Sequence, residues 1–291
     1  MLFPSARRRA SSSARLAPAA ILVVLVALAA VAGCGSTGGS ERSAGSTGTT
    51  PSTAPTGTAD TLAPTTVAPT TTAATLPPIA PTAPGPATVL SKVPAATGKV
   101  ALTFDDGFCG DCVGAMVGDL ERTGAHVTFC PNGTYGKVWL PYIDRIKALI
   151  AKGQLQICNH TWDHKKITTL SAAQLTDEIN RNEQWIEDTF GVTARPYFRP
   201  PYGSHNATTD RIAGSLGYTS VIVWSSTLSD SILQPPETVL QQLQTNLVPG
   251  GIVLGHLNYP TTGQVFDQML AVLAQRGLVP VTISELVAAG A

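Results

Sequence analysis

The chain has 291 residues, with 19 basic and 19 acidic side chains and a formal net charge of zero. That balance gives no electrostatic footprint for a nucleic-acid partner, and none is expected. Length alone would permit two domains, but composition divides the chain unevenly.

The N-terminus carries Arg7, Arg8, Arg9 and Arg15, and Leu16–Gly33 follows without a charge. A basic segment ahead of an apolar run is the pattern of an export signal, here residues 1–33. The run is also near the length of a spanning helix. VAGC (Val31–Cys34) places small residues before a cysteine and resembles a bacterial lipobox, in which Cys34 is lipidated and becomes the mature N-terminus. The alternative is an uncleaved anchor helix with a chance cysteine. Both readings export the remainder of the chain. The expected location is the outer face of a bacterial cytoplasmic membrane, with Cys34 as the lipid anchor. Arg7–Arg9 hint at twin-arginine export, but the residues after them do not support it.

From Gly35 to about Pro86 the chain is mostly Ser, Thr, Gly, Ala and Pro, with no aromatic residue. Such a composition cannot bury a core, so residues 34–90 are read as a disordered tether, extended by their Pro and Thr content. A glycosylated stalk would read the same way.

The domain is placed at residues 97–291. KVALTF (Lys99–Phe104) reads as a buried strand. HVTFC (126–130), LQIC (155–158), TSVIVW (219–224), GIVLG (251–255) and LVPVTI (278–283) are further short apolar runs rich in β-branched residues. Helical patterns alternate with them. Residues 139–153 end at Gly153, Ser171–Gln174 is a capping box opening a helix to Gly191, and residues 261–277 end at Gly277. Alternation implies a mostly parallel sheet. The expected class is α/β, as a distorted, incomplete (β/α) barrel of seven to eight strands, since a complete one usually needs roughly 250 residues. There is no internal repeat.

Chemistry in such folds sits where strands give way to loops. Asp105 and Asp106 close the first long strand, and His160 and His164 follow LQIC. Arg199 and Tyr202 lie in FRPPYG, Trp224 ends TSVIVW, and His256 follows GIVLG. Two histidines four apart on a helical turn share a side. With one carboxylate they would make a metal site that leaves positions open for water and substrate. Two surface histidines in a polar loop would have the same spacing. The paired aspartates need not act alike, because their side chains diverge past a strand end and Gly107 permits a sharp turn. One can bind a metal while the other takes a proton. A helix cap or turn would also explain them. By the same measure Trp224 and Leu254 could be core, Arg199 a surface arginine, His205 solvent-exposed and His126 structural.

TFDDG, HTWDH, RPPY and LGH, in this order, resemble the motifs of the polysaccharide deacetylases, the NodB-homology group or carbohydrate esterase family 4. The resemblance covers about Lys99–Val287. It implies a distorted barrel hydrolysing N-acetyl or O-acetyl groups on polysaccharide. Asp105 would be the general base, held by Arg199. Asp106, His160 and His164 would bind a divalent metal, usually zinc, with cobalt, nickel or manganese as alternatives. The Tyr202 backbone N–H would stabilise the oxyanion. Trp224 and Leu254 would wall the acetyl pocket, and His256 would be the general acid. A monomer is expected.

Two departures stand out. The family's motif around the tryptophan carries an aspartate three residues on, where this chain has Thr227. Asp230 could substitute from a shifted loop. Without a carboxylate His256 should have a lowered pKa, which would favour O-acetyl esters, as in acetylxylan. Phe108 stands where the family has proline. A tethered glycan-binding protein without turnover is the third reading.

Five cysteines are present, and lipidation of Cys34 leaves Cys109, Cys112, Cys130 and Cys158. An even number in an exported domain favours disulfides. Cys130 and Cys158 end neighbouring strands, about 4.8 Å apart, within reach of a bridge. Cys130–Cys158 with Cys109–Cys112 is therefore the preferred pairing. A four-cysteine zinc site and a redox pair at Cys109 and Cys112 are the alternatives.

Overall fold

The computed structural model describes residues 83–291. The expected signal segment, Cys34 and the tether through residue 82 lie outside the described residues. The tether was expected to reach residue 90, but Thr88–Leu90 is a strand, β1, with Ser220–Ile222 as its parallel partner. The preceding turn is seated on a helix: Gly85 N–H donates to Gly214 O at 3.0 Å. A side chain at Gly214 would put its Cβ 2.2 Å from that Gly85 carbonyl oxygen. The pairing partner is distant in sequence and the strand is short, so the surrounding composition hides it.

The chain continues through β2 (Lys99–Asp106), α1 (Gly110–Thr123) and β3 (Val127–Pro131). Next come α2 (Gly136–Trp139), α3 (Ile143–Ala151), β4 (Leu155–Ile157) and α4 (Ala172–Phe190). Then follow β5 (Tyr197–Phe198), α5 (Ala207–Ser215), β6 (Ser220–Ile222), β7 (Ser226–Thr227) and α6 (Pro236–Asn246). β8 (Ile252–His256), α7 (Thr261–Gln264), α8 (Phe266–Gln275), β9 (Val279–Val281) and α9 (Ile283–Ala288) complete it. The Ser171–Gln174 capping box forms, and Gly191 ends α4 with φ 75°. The expected helix over 139–153 is split, with a 3-10 turn at Leu140–Tyr142 where Pro141 withholds an N–H. The one over 261–277 breaks at Val265.

Strand pairing is parallel throughout, in sheets ordered β1–β6–β5 and β4–β3–β2–β8–β7, with β9 also on β2. Isolated bridges at Asn159–Phe198 and Lys92–Gly251 link the two sheets, so the strands form an interrupted ring. Nine strands are described rather than seven or eight, two of them only two residues long.

Alternation along β2 sorts its side chains. Val100, Leu102 and Phe104 join the large core under the helices. Ala101 joins a smaller cluster with Cys130, Cys158, Tyr197, Ile222, Ile252 and Val281. Period two places Asp105 on the same face as Ala101 and Thr103, at the C-terminal end of the strand.

Cys109 is joined to Cys112, and Cys130 to Cys158. The second bridge ties the end of β3 to the residue after β4, and both its cysteines are fully buried. Replacing Cys130 and Cys158 together by alanine is expected to cost about 3 kcal/mol in urea denaturation of the purified domain. The same change at Cys109 and Cys112 should cost less, because a shorter loop is closed.

Candidate active site

Asp105 is inside the ring at the end of β2, with Cys130 and His256 as its in-register neighbours. Arg199, fully buried, donates from Nη1 to both its carboxylate oxygens at 2.9 and 3.0 Å. The same guanidinium donates from Nη2 to Thr103 Oγ1 (3.0 Å) and from Nε to Ile222 O (2.8 Å). All three guanidinium nitrogens donate, as a buried cation requires.

Asp106 leaves the strand. Its φ is +64° and that of Gly107 is +80°, so the backbone reverses hand. Only glycine fits at 107, where a Cβ would lie 2.1 Å from Trp139 Cζ2. The turn sends the two adjacent carboxylates to different partners. Asp106 Oδ2 accepts from Asn258 Nδ2 at 2.6 Å, while Oδ1 is buried with no hydrogen-bond donor.

That free oxygen faces His160 Nε2 and His164 Nε2, each 3.4 Å away. A helical turn would have put the two histidines on one side, and a polar loop was the other reading of their spacing. They sit on an irregular loop after β4, in which Thr161 (φ 66°) and His164 (φ 56°) are left-handed. Buried polar groups hold that loop. Asn132 Nδ2 donates to His160 O and Thr161 O, and Glu178 accepts from Asp163 N–H and Lys165 Nζ. His160 Nδ1 is 2.7 Å from Arg199 O. A carbonyl only accepts, so Nδ1 carries the proton and the Nε2 lone pair faces the carboxylates. Burial, with the neighbouring His160, pushes His164 down to about 4, which keeps its ring neutral. Burial alone would raise the Asp106 carboxyl, but positive charge at the His160 and His164 positions, with the Asn258 amide, holds it well below the usual range, so with both rings neutral Oδ1 calls for a cation.

One ligand atom from each of Asp106, His160 and His164 lies within 4.8 Å of the others. A buried carboxylate oxygen with no donor, set between two ring nitrogens, fits a divalent cation. The donor set suits zinc and its neighbours.

Asp105, Asp106, His160, His164, Tyr202, Trp224, Leu254 and His256 line one cleft of about 760 Å³. Tyr202 is left-handed (φ 59°), and its ring is 4.5 Å from that of His164. Trp224 lies on the following turn: a Cβ on Gly203 would be 2.8 Å from its Cη2. His205 pairs with Asp210, and His126 with Glu285; neither lines the cleft.

A lowered pKa for His256 was tied to the lack of a carboxylate, and that condition is not met. Asp230 takes the place of a carboxylate at Thr227: its Oδ1 is 2.8 Å from His256 Nδ1. Its Oδ2 accepts from the His256 N–H (3.0 Å) and from Thr262 Oγ1 (2.5 Å). Ser229, at φ 57°, turns the loop that delivers it. Burial lowers the His256 pKa, but Asp230, with the charges of Asp105 and Asp106, outweighs it and holds the imidazole above its ordinary value. Sequence reasoning also missed Asn258, which bonds both Asp106 Oδ2 and the Gly107 N–H. Its place two residues after His256 was the available signal.

The arrangement can hold a cation with open faces toward the cleft, beside a positioned carboxylate and a carboxylate-backed imidazole. That is the equipment of a hydrolase. Residues 92–221 match the family described as polysaccharide deacetylase. A peptidoglycan-N-acetylglucosamine deacetylase of Listeria monocytogenes is 29% identical over 188 residues, 65% of this chain and 38% of that protein. The chain therefore spans well under half of that relative's length. The structure of a T48 deacetylase with substrate is 30% identical, with a TM-score of 0.59, covering 68% of this chain and 92% of that one. A mutant of a carbohydrate esterase family 4 pseudoenzyme from Bacillus anthracis, with restored enzymatic activity, is 25% identical at TM-score 0.61, covering 68% of this chain and 71% of that one. The chain belongs to the polysaccharide deacetylase family.

Arg199→Met should cost about 3–5 kcal/mol in urea denaturation, because Asp105 is left buried without its cation. Arg199→Lys should not restore it, since a single ammonium cannot make the four bonds of the fork. Adding Asp105→Asn to Arg199→Met should recover part of the loss.

Proposed function

We propose that this chain removes acetyl groups from the amino sugars of an acetylated polysaccharide by metal-assisted hydrolysis. The observation that carries the reading is Asp106 Oδ1. It is buried and donor-free, faces two imidazole nitrogens, and lies in the same cleft as an Arg-held second carboxylate. Asp106, His160 and His164 would hold the cation, zinc first by donor chemistry. When bound, it supplies Lewis acidity to the acetyl carbonyl and to water.

Asp105 takes the proton of the attacking water as its oxygen bonds to the acetyl carbon. Arg199 keeps that carboxylate aimed. The Tyr202 N–H donates to the oxygen on which charge develops. Trp224 and Leu254 enclose the methyl group. As the C–N bond breaks, His256 gives its proton to the leaving nitrogen, releasing acetate and a free amine. Asp230 orients His256 and favours its charged form, which an amine leaving group needs more than an alkoxide does. This removes the reason Thr227 gave for preferring O-acetyl esters. The full set of site residues favours turnover over the binding-only reading.

Export and lipid attachment at Cys34 would place the domain outside the membrane, on a tether reaching an envelope or environmental glycan. This part of the proposal is supported by residues 1–82 alone.

N-acetylglucosamine oligomers should yield acetate with the metal-loaded protein, and chelation should abolish release until zinc is restored. Equal release with and without chelator would refute the metal role, and faster turnover of acetylxylan would favour the esterase. Asp105→Asn should lower kcat by about 10²–10⁴-fold. His256 must be protonated to act, so activity falls as pH rises through its pKa. Asp230→Asn removes the influence that raises that pKa and leaves burial, which lowers it. The alkaline limb of the kcat/KM profile should therefore move to lower pH.

A further inference from the structure

We infer that Phe108 is the stacking platform of a sugar subsite beside the reaction centre, taking the neighbouring residue of a neutral hexosamine polymer. The inference rests on the deacetylase reading above and names the substrate class of that site.

Phe108 lies two residues beyond Asp106 and lines the same cleft. Its residue surface is 41% exposed, among the few large apolar residues so exposed in the described chain. An exposed aromatic ring inside the cleft that holds the carboxylates and imidazoles calls for a partner, whereas scattered surface leucines do not. The ring is fixed in place. It stands edge-on to Tyr135 at 5.8 Å and to Tyr259 at 5.9 Å, with interplanar angles of 64° and 86°. The backbone on both sides is pinned. Gly107 N–H donates to Asn258 Oδ1, and Cys109 N–H donates to Leu257 O. The next residue begins the Cys109–Cys112 disulfide and caps α1 through its sulfur. A ring held this way loses little freedom on binding, which is what preorganisation contributes to affinity.

The three aromatic residues follow β2, β3 and β8, neighbours in one sheet. Tyr202 and Trp224 follow β5 and β6 in the other sheet. The cleft thus has an aromatic group on each flank of the metal-binding point. Pyranose rings in a β-linked chain carry their hydroxyls around the edge and present C–H bonds on the face. That apolar face suits an aromatic ring. Charge narrows the class further. Among the described residues lining the cleft there is no lysine or arginine, while Asp105 and Asp106 contribute carboxylates. Beyond the bound cation and the charged form of His256, both committed to the reaction centre, uronate- or phosphate-bearing glycans find no counter-charge there, and unmodified N-acetylhexosamine finds no repulsion.

The test compares Phe108→Ala, Phe108→Leu and Phe108→Trp in the metal-loaded enzyme, with thermal transitions confirming that each folds. Substrates are the N-acetylglucosamine tetramer and the monomer. Alanine and leucine should lower kcat/KM on the tetramer about tenfold more than on the monomer, chiefly through KM, and tryptophan should restore most of it. In the Asp105→Asn background, calorimetry with the tetramer should show the same ordering of affinities without turnover. Leucine matching the parent, or equal losses on tetramer and monomer, would overturn the subsite. So would tighter binding of an acetylated polyuronate than of the tetramer. Absence of acetate release from every substrate by the parent enzyme would instead sink the deacetylase reading, a result distinguishable from loss of the subsite alone.

Discussion

The buried Arg199–Asp105 pair is the interaction on which the rest of the site depends. Two charges inside the ring are costly, and a lone partner would be more costly still. The guanidinium meets the cost by bonding four oxygens, from Asp105, Thr103 and the Ile222 carbonyl. Those oxygens belong to β2 and β6, which lie in different sheets. Strand pairing does not join the two there, so the side chain does what a ladder would. The same residue's carbonyl then holds His160 Nδ1. One arginine thereby positions the proposed base through its side chain and a proposed metal ligand through its backbone. Substitution at 199 removes the side-chain contacts to Asp105 and leaves the carbonyl that holds His160.

The separation of duties between Asp105 and Asp106 is conformational. Both are carboxylates at the end of one strand, and an extended chain would merely point them to opposite faces. Left-handed φ at Asp106 and Gly107 adds a turn that brings Asp106 back over the cleft. Such a backbone state costs about 1–2 kcal/mol for a residue with a side chain. Asn258 offsets it by bonding the Asp106 carboxylate and the Gly107 N–H together. Strain and compensation meet at the residue with the free oxygen, as they often do where a ligand is held.

What the sequence disclosed follows the range of the physics. Alternation in KVALTFDD sorts core from interior within one strand, so the faces of β2 and the position of Asp105 were legible. The Ser171 capping box and the closing glycines are local rules, and those helix ends were legible too. β1 was not, because three residues of a Thr-rich segment become a strand only when β6 is beside them. The His160–His164 spacing suggested a helical turn; buried Asn132 and Glu178 hold a loop of another shape. The partner of Asp106 at Asn258 lies 152 residues away, a contact no periodicity encodes.

Two of the three imidazoles in the cleft are driven apart by what surrounds them. His164 has burial and a second histidine beside it and is held neutral at about 4. His256 is partly buried too, yet Asp230 on its Nδ1 carries it the other way. Opposed shifts of like groups within one site assign different work to each, a ligand that must offer a lone pair and an acid that must carry a proton. Thr227 shows why spacing alone misleads here. The chemistry requires a carboxylate oxygen at hydrogen-bond distance from a ring nitrogen, and a loop turned at Ser229 delivers one from three residues further on. Thr262 and the His256 N–H bind the other oxygen of that carboxylate, so its direction is fixed even though its place in the chain has moved. The requirement is on the position of the atom, and the sequence position is free to vary while the atom stays.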